Sequence, residues 1–486
     1  MIIASGSLRI YLMGKKSGLL ILILVLGFLV RLYRINNPIG DWHAWRQADT
    51  SSVSRNFVRN GFDVLRPKYE DISNIQSGKD NPEGYRMVEF PVFNIFQAGF
   101  TVLFPFFSLE VWGRLVSVFF SLGSILFIYL IVKKYLNTRA ALFSSAFFAF
   151  LPYSIYYGRT ILPDGAMVSC LLGAIYFFDS WVSSKKISVN LNFLLAVVFA
   201  AAALLLKPFA IFFVLPMFVI AYKRFGIKMF LNWQLYLFLV LSIAPLLWWR
   251  WWIYRFPEGI PVSDWLFNGG NVRFRPSFFR WILYERLTKL ILGFAGLIIV
   301  IPGILRINKE KNYLFFLSFA VSSILYVIIV ARGNLQHDYY QIPIIPAVSI
   351  FLGRGADFIL EKFKNRMIVA CLVILCAVTF VLSWNQVKDY FNINRRDLIE
   401  AGQEADKILP RDAKVIAAND GDTSFLYYVN RKGWPALEHG IDEMVAKLGA
   451  THMVIASPTK NDFTGLGKSY KIVASSTKYL ILDLRK

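Results

Sequence analysis

The sequence predicts a polytopic α-helical membrane protein, about eleven transmembrane helices followed by a small C-terminal α/β soluble domain. Three observations carry this. Of 486 residues, 56% are apolar and only 17% are charged, whereas a soluble chain carries about a quarter charged residues. Apolar runs approaching the roughly 20 residues that a bilayer crossing needs recur along most of the chain. Beyond about residue 387 those runs stop, and short alternating helix and strand patterns replace them.

The candidate spans lie near 17–34, 112–132, 140–157, 163–180, 190–206, 208–222, 231–252, 287–305, 313–331, 341–358 and 367–384. The stretch 91–107 is apolar enough to lie along the membrane or dip into it. Lys15 and Lys16 before the run Leu19–Val30 resemble a signal peptide, but no small-residue cleavage site follows. That run therefore reads as an uncleaved first span.

The net charge of +22 sits mostly in short clusters between apolar runs. These are Lys15–Lys16, Lys133–Lys134–Arg139, Lys185–Lys186, Lys223–Arg224–Lys228, Arg306–Lys309–Lys311 and Lys362–Lys364–Arg366. With eleven spans all six fall on one side, which the positive-inside bias makes the cytoplasm. No basic stripe with interleaved aromatics points to nucleic acid. The outer side then holds loop 35–90, loops 253–286 and 332–340, and the tail. Cys170, Cys371 and Cys376 all fall in apolar segments and form neither a metal pattern nor a disulfide framework.

The tail divides the chain into a transmembrane domain, 1–386, and an extracytoplasmic α/β domain, 387–486. Residues 397–408 and Ile441–Leu448 read as helices; Ala413–Ala418, Met453–Ala456, Tyr470–Val473 and Leu480–Leu482 read as strands. The tail has no Gly-rich nucleotide fingerprint. Asn419-Asp420-Gly421-Asp422 reads as a turn first and as a site second.

The candidate chemistry concentrates in loop 35–90, which is far longer than a connector requires. It carries Asp41-Trp42-His43-Ala44-Trp45-Arg46-Gln47-Ala48-Asp49-Thr50 just after the first span, and Glu89-Phe90-Pro91-Val92 at its far end. Glu89 reads either as an interfacial charge or as a carboxylate held beside a substrate. Arg159, Asp164 and Lys207 lie at breaks between apolar runs, where an ionised group is paired or functional. Arg159 and Asp164 can pair with each other. Lys207, at the outer face, suits an anion. Gln336-His337-Asp338-Tyr339-Tyr340 stands at the outer mouth of a later span, and its His and Tyr groups can donate to a phosphate or a sugar. His43 and His337 with the acids contain metal donors, but nothing in their spacing requires a metal.

These motifs resemble the GT-C fold integral membrane glycosyltransferases, in the branch of the protein O-mannosyltransferases and the aminoarabinose transferases that modify lipid A. The resemblance covers roughly residues 17–350 and leaves out the tail. Family members commonly carry an Asp-Glu pair in the first external loop; here Asp49-Thr50 stands there and the second acid is missing. Glu89-Phe90-Pro91 resembles the family's Glu-x-Pro-Pro, with Val92 replacing the second Pro. Trp45 to Thr50 looks like a bacterial subgroup.

The resemblance implies an inverting transfer of a sugar from a polyprenyl-phosphate carrier to a lipid, glycan or protein acceptor, outside the bacterial cytoplasmic membrane. Asp49 would be the base that takes the acceptor's proton, with Glu89 orienting the acceptor or sharing that role. Arg159, Lys207 and His337 would stabilise the leaving phosphate, with Tyr339 and Tyr340 beside them. Asp41, His43, Arg46 and Asp164 would support the site. It implies no cofactor and leaves a divalent metal open, since some wider relatives use one and the nearer ones do not.

Two other classes fit part of the pattern. A lipid-linked sugar transporter or flippase explains many spans and intramembrane charges, but predicts repeated halves that the sequence lacks. A carrier-lipid-dependent polysaccharide polymerase or ligase predicts its largest external loop late in the chain, whereas here it is early.

Overall fold

The structure, a computed structural model, describes residues 15–185 and 187–485. Lys186 lies outside the described residues, as do the side chains of Lys15 and Lys16, so those parts of the basic clusters are not located. The chain divides into two compact units. One comprises residues up to Ile35, Leu115–Trp248 and Ser263–Asp389; the other comprises Asn36–Arg114, Trp249–Val262 and the chain from Tyr390 onward.

The first unit is helical. Among the described residues of the whole chain, six helices are long and apolar enough to cross a membrane, or seven if one sharply bent pair counts as a span. This corrects the expected eleven. An apolar run counts residues but does not report whether the backbone stays straight. The run 140–157 splits into helices Thr138–Phe150 and Pro152–Tyr157 at a proline. The helices Leu191–Leu206 and Tyr313–Ile329 have 16 and 17 residues and fall short of a full crossing. The run 287–305 turns through 115° between Ile291 and Gly296. Gly293 and Phe294 adopt left-handed φ values of 50° and 59° there. A side chain at Gly293 would sit 2.5 Å from the Thr379 carbonyl oxygen, so only glycine fits this corner.

Small residues let two helices of this unit meet backbone to backbone. A Cβ at Gly355 would lie 1.8 Å from the Ile299 carbonyl oxygen, and one at Gly303 would lie 2.0 Å from that of Phe351. Helices Gly296–Ile307 and Ile345–Lys362 therefore pack through their glycines, the small-residue contact that suits a medium without a hydrophobic drive. Arg31 is buried at the end of helix Lys15–Arg31. Its guanidinium donates to the carbonyls of Gly27 and Ala149, both at 2.9 Å, at the end where cations are favoured.

The second unit joins loop 36–114 to the tail. Helix Ala44–Asn60 is polar in sequence yet largely buried. It packs on helix Val92–Leu103 through side-chain bonds. Asn94 donates to the Thr50 carbonyl at 2.7 Å, Ser54 to Gln97 at 2.8 Å, and Gln97 to Ser51 at 3.3 Å. Burying such groups is tolerable only because they are paired.

The tail sheet has five strands: β1 Val415–Ile416, β2 Gly433–Trp434, β3 His452–Ala456, β4 Lys471–Ser475 and β5 Tyr479–Asp483. Their order is β2-β1-β3-β5-β4, with β1 parallel to β2 and β3, and β5 antiparallel to β3 and β4. The two-residue alternation sorts the faces. Val415, Val454 and Ile481 pack under helix Arg396–Ile408 through Leu398, Ala401 and Ala405. Ile416, Met453, Leu480 and Leu482 face Trp434, Met444 and Ile72. The predicted helices and the strands β3, β4 and β5 are present. The strand expected over 413–418 is only two residues long, and β2 and helix Ser424–Val429 carry no signal long enough to read.

Loop residues 70–72 extend the sheet beyond β2. The Gly433 N–H donates to the Glu70 carbonyl at 2.9 Å, and the Ile72 N–H to the Gly433 carbonyl at 3.0 Å. Gly433 must be glycine, since a Cβ would meet the Val415 carbonyl oxygen at 1.9 Å. The first polar loop and the tail are thus one folded body.

Candidate functional site

Two ion pairs of the second unit gather at the start of helix Ala44–Asn60. Arg46 and Asp49 are one turn apart, so they project on neighbouring faces. Arg86 and Glu89 carry the same spacing on the facing segment. Arg86 Nη2 lies 2.9 Å from Asp49 Oδ2, and Arg46 Nη2 lies 2.5 Å from Glu89 Oε1. Asp49 is almost fully buried, with its side chain at 0% exposure, whereas Glu89 keeps 15%. The other Asp49 oxygen, Oδ1, accepts from the Thr423 hydroxyl at 2.7 Å. The turn before Thr423 is the Asn419–Asp422 stretch, with Asp420 and Gly421 both at positive φ.

Around this acid lies a cleft of about 10 Å³ lined by Ala48, Asp49, Ser52, Asp71, Thr423 and Tyr427 among others. That is room for about one water. Burial pushes the Asp71 carboxyl up to about 6, against the Ser73 hydroxyl and backbone N–H, which favour its ionised form; the field of Asp49 adds to the rise and that of Arg86 opposes it. Asp422 is also raised, chiefly by burial. The other sequence candidates hold the entry to the helix. Asp41 Oδ1 accepts from Gln47 Nε2 at 2.6 Å. His43 is the residue before the helix, at φ 57°, with its ring 5.1 Å from that of Trp42. Thr50, where the family carries an acid, turns its hydroxyl back to the Arg46 carbonyl at 2.9 Å.

The first unit holds a second cluster. Lys207 ends helix Leu191–Leu206, where Pro208 prevents its continuation as an α-helix. Its ammonium lies 3.1 Å from Asp164 Oδ1, and both side chains are buried. The rings of Tyr339 and Tyr340 lie 5.6 and 5.4 Å from it, within cation–π range. The His337 ring stacks at 5.5 Å on Tyr339 and 6.3 Å on Tyr340. Asp338 accepts from the Tyr157 hydroxyl at 2.6 Å and pairs with Arg286 at 3.5 Å. Thus Asp164 pairs with Lys207, whereas Arg159 donates to the Tyr33 carbonyl at 2.9 Å.

The first unit also contains an apolar cavity of about 290 Å³, lined by Leu204, Ala210, Ile211, Val214, Phe238 and neighbours. Leu204 and Ala210, which line it, stand three residues before and three after Lys207 in the chain; Lys207 itself is not one of the lining residues.

Arg86, Thr423, Asp71, Tyr157 and Arg286 were not among the sequence candidates. Arg86 carries a local signal, since it precedes Glu89 by the same three residues that separate Arg46 from Asp49. Thr423 carries none. Among the described residues no group of three His, Cys, Asp or Glu side chains is placed to hold a metal ion.

The fold and these clusters define a polytopic membrane protein with the GT-C glycosyltransferase fold. The chain is similar to ArnT from Cupriavidus metallidurans in the apo state, with a TM-score of 0.67 at 12% identity, covering 97% of this chain and 99% of that one. The same enzyme bound to undecaprenyl phosphate gives 0.64 at 13% identity, over 96% and 98% of the two chains. Archaeal oligosaccharyltransferase AglB from Archaeoglobus fulgidus, in complex with an inhibitory peptide and a dolichol-phosphate, gives 0.57 at 12% identity, over 93% and 70%. The profile of the dolichyl-phosphate-mannose-protein mannosyltransferase family matches residues 82–249. No curated protein sequence matches significantly. The likeness extends through the tail, which the sequence resemblance did not reach.

Proposed function

We propose that this protein is an inverting glycosyltransferase that moves a sugar from a polyprenyl-phosphate carrier to a lipid, glycan or protein acceptor on the outer side of the bacterial cytoplasmic membrane. The observation that carries the reading is the Lys207 cluster. An amphiphilic donor needs a cation for its phosphate and an apolar space for its chain, and the first unit supplies both a buried Lys207 and a 290 Å³ apolar cavity lined by Leu204 and Ala210, three residues to either side of it in the chain. Two of the similar structures hold such carriers, undecaprenyl phosphate and a dolichol-phosphate.

The leaving group is a phosphate that gains charge as the glycosidic bond breaks, so it needs fixed positive charge. Lys207 supplies it directly. His337, Tyr339 and Tyr340 donate hydrogen bonds, and Arg159 is the further cation assigned to the phosphate. On binding, the phosphate competes with Asp164 for the ammonium. In the second unit, Asp49 accepts the proton of the attacking hydroxyl, directly or through the one water its cleft can hold. An ionised carboxylate offers about four acceptor positions, so the bonds from Arg86 and Thr423 leave capacity for it. Glu89, the more exposed acid, orients the acceptor, held in place by Arg46. Asp41 and His43 shape the start of the helix that carries Arg46 and Asp49. Outward placement of these acids is part of this proposal and is supported by Lys15–Lys16 ahead of the apolar run that precedes them.

The test is transfer from a panel of radiolabelled polyprenyl-phosphate sugars to mixed membrane glycolipids, with purified protein in lipid. Wild type should label an acceptor and Asp49→Asn should lose about 10²–10⁴-fold. Transfer that survives Asp49→Asn unchanged removes Asp49 as the base. Carrier movement across the bilayer with no transfer from any donor would replace the enzyme by a flippase.

A further inference from the structure

The contact between Thr423 and Asp49 joins residues 374 positions apart. We propose that Thr423, from the C-terminal tail, is a positioning residue for Asp49, fixing the direction in which that carboxylate presents its free lone pairs. The proposal rests on the glycosyltransferase reading with Asp49 as base.

The hydroxyl has one proton and two acceptors within reach, Asp49 Oδ1 at 2.7 Å and the Trp45 carbonyl at 3.2 Å. The nearer, charged acceptor is the stronger. Arg86 holds Oδ2 at 2.9 Å. With one donor on each oxygen, rotation of the carboxylate about its Cβ–Cγ bond is blocked. Arg86 alone would leave that rotation free to a hinge about one oxygen.

Thr423 is itself held firmly. The Asn419 and Gly421 N–H groups donate to the Pro435 carbonyl at 2.7 and 3.1 Å, closing the turn before it. Asp422 accepts from the Ser424 N–H at 2.8 Å, and the Tyr427 N–H donates to the Thr423 carbonyl at 2.9 Å, starting helix Ser424–Val429. That helix is pinned on its far side, where the Tyr427 hydroxyl donates to Glu110 at 2.5 Å and the Arg55 guanidinium covers the Tyr427 ring at 4.0 Å. The position of the hydroxyl is therefore set by this turn and helix, held by the Pro435 carbonyl, Glu110 and Arg55, and not by Asp49. A tail serving only as a cover would present an apolar residue here, and a tail for neutralising Asp49 would present a cation. Threonine does neither; it orients.

The experiment measures transfer by full-length protein in lipid for wild type, Thr423→Val, Thr423→Ser, Thr423→Ala and Asp49→Asn, with an undecaprenyl-phosphate-linked labelled sugar and a membrane glycolipid extract. Thr423→Val should lower kcat about 10- to 100-fold, the range for one hydrogen bond to a charged group. KM for the donor should stay within about twofold, and Thr423→Ser should recover most of the rate. Melting temperatures establish that the variants fold. If Thr423→Val does not fold, the Ala and Ser pair gives the same comparison. An unchanged or raised kcat in Thr423→Val, or in a folded Thr423→Ala, overturns the proposal, as does a Ser variant as slow as the Val one. An inactive Asp49→Asn with an active Thr423→Val sinks the positioning role alone, whereas a fully active Asp49→Asn sinks the base assignment and the proposal with it.

Discussion

Arg86 Nη2 and Asp49 Oδ2 lie 2.9 Å apart and both are buried. The pair fixes helix Ala44–Asn60 to the segment that also carries Glu89. Removing one partner leaves a buried charge without its counter-ion, which costs about 3–5 kcal/mol. Arg86→Met should therefore lower the melting temperature markedly, and Arg86→Met with Asp49→Asn should recover much of the loss. Thermal unfolding in detergent checks this; an Arg86→Met protein as stable as wild type would show that the pair is not holding the helix.

Lys207 and Asp164 predict a different kind of defect. Lys207→Met removes the cation assigned to the donor phosphate, so donor KM should rise about 10- to 100-fold, the range for one charge-assisted bond. The variant also removes the cation beside the buried Asp164 carboxylate, so it should be less stable. Pairing it with Asp164→Asn should restore stability but not donor binding. Initial rates against carrier-linked sugar concentration, beside melting curves, separate the two effects.

Asp71 predicts a pH dependence of stability. Its folded value of about 6 stands above the unfolded value of 3.8. The folded state therefore holds a proton that the unfolded state releases. The resulting stabilisation is complete below about pH 4 and is lost as pH rises through about 6. Tyr69 donates to its carboxyl at 3.3 Å and the Ser73 N–H at 2.9 Å, while Asp49 and Arg86 act on it through space. Asp71→Asn keeps a neutral group there at every pH. It should match wild type near pH 4 and exceed it at pH 8, by at most about 3 kcal/mol. Denaturation curves at the two pH values test this, and equal differences at both would remove Asp71 as the cause.

Gly355 predicts sensitivity to a single methyl group. A Cβ there would lie 1.8 Å from the Ile299 carbonyl oxygen, a backbone atom that cannot turn aside. Gly355→Ala should force the two helices apart and cost about 1–3 kcal/mol or more. By contrast, Gly99→Ala meets nothing within 4 Å and should be neutral or slightly stabilising. Comparing their melting temperatures tests whether glycine packing, and not helix flexibility, explains the residue.

Much of the fold was legible locally. Apolar composition, the charge clusters and the short continuous apolar runs at Met453–Ala456 and Leu480–Leu482 identify a membrane body and an α/β tail, because burial imposes those patterns along the chain itself. The cation Lys207 stood out because a charge between apolar runs needs a reason, whereas Asp49 and Glu89 stood out as acids of a long polar loop and took their roles from the family resemblance. The number of spans did not follow. Hydropathy adds up residues, whereas a crossing depends on whether the helix continues through Leu151-Pro152 or Gly293-Phe294, where the backbone turns.

The sequence by itself determined what kind of solvent each segment meets and which residue types are available for chemistry. Tertiary structure decided their partners. Asp164 could have met Arg159, five residues away, but pairs with Lys207. The Asn419–Asp422 stretch reads as a turn, and nothing near it in the chain says that the next hydroxyl reaches Asp49. Nor does β2, two residues long, announce that residues 70–72 will pair along its edge. Hydrogen bonds and ion pairs act over about 3 Å, so residues far apart in sequence become partners only when packing brings their backbones together, and no local pattern records that.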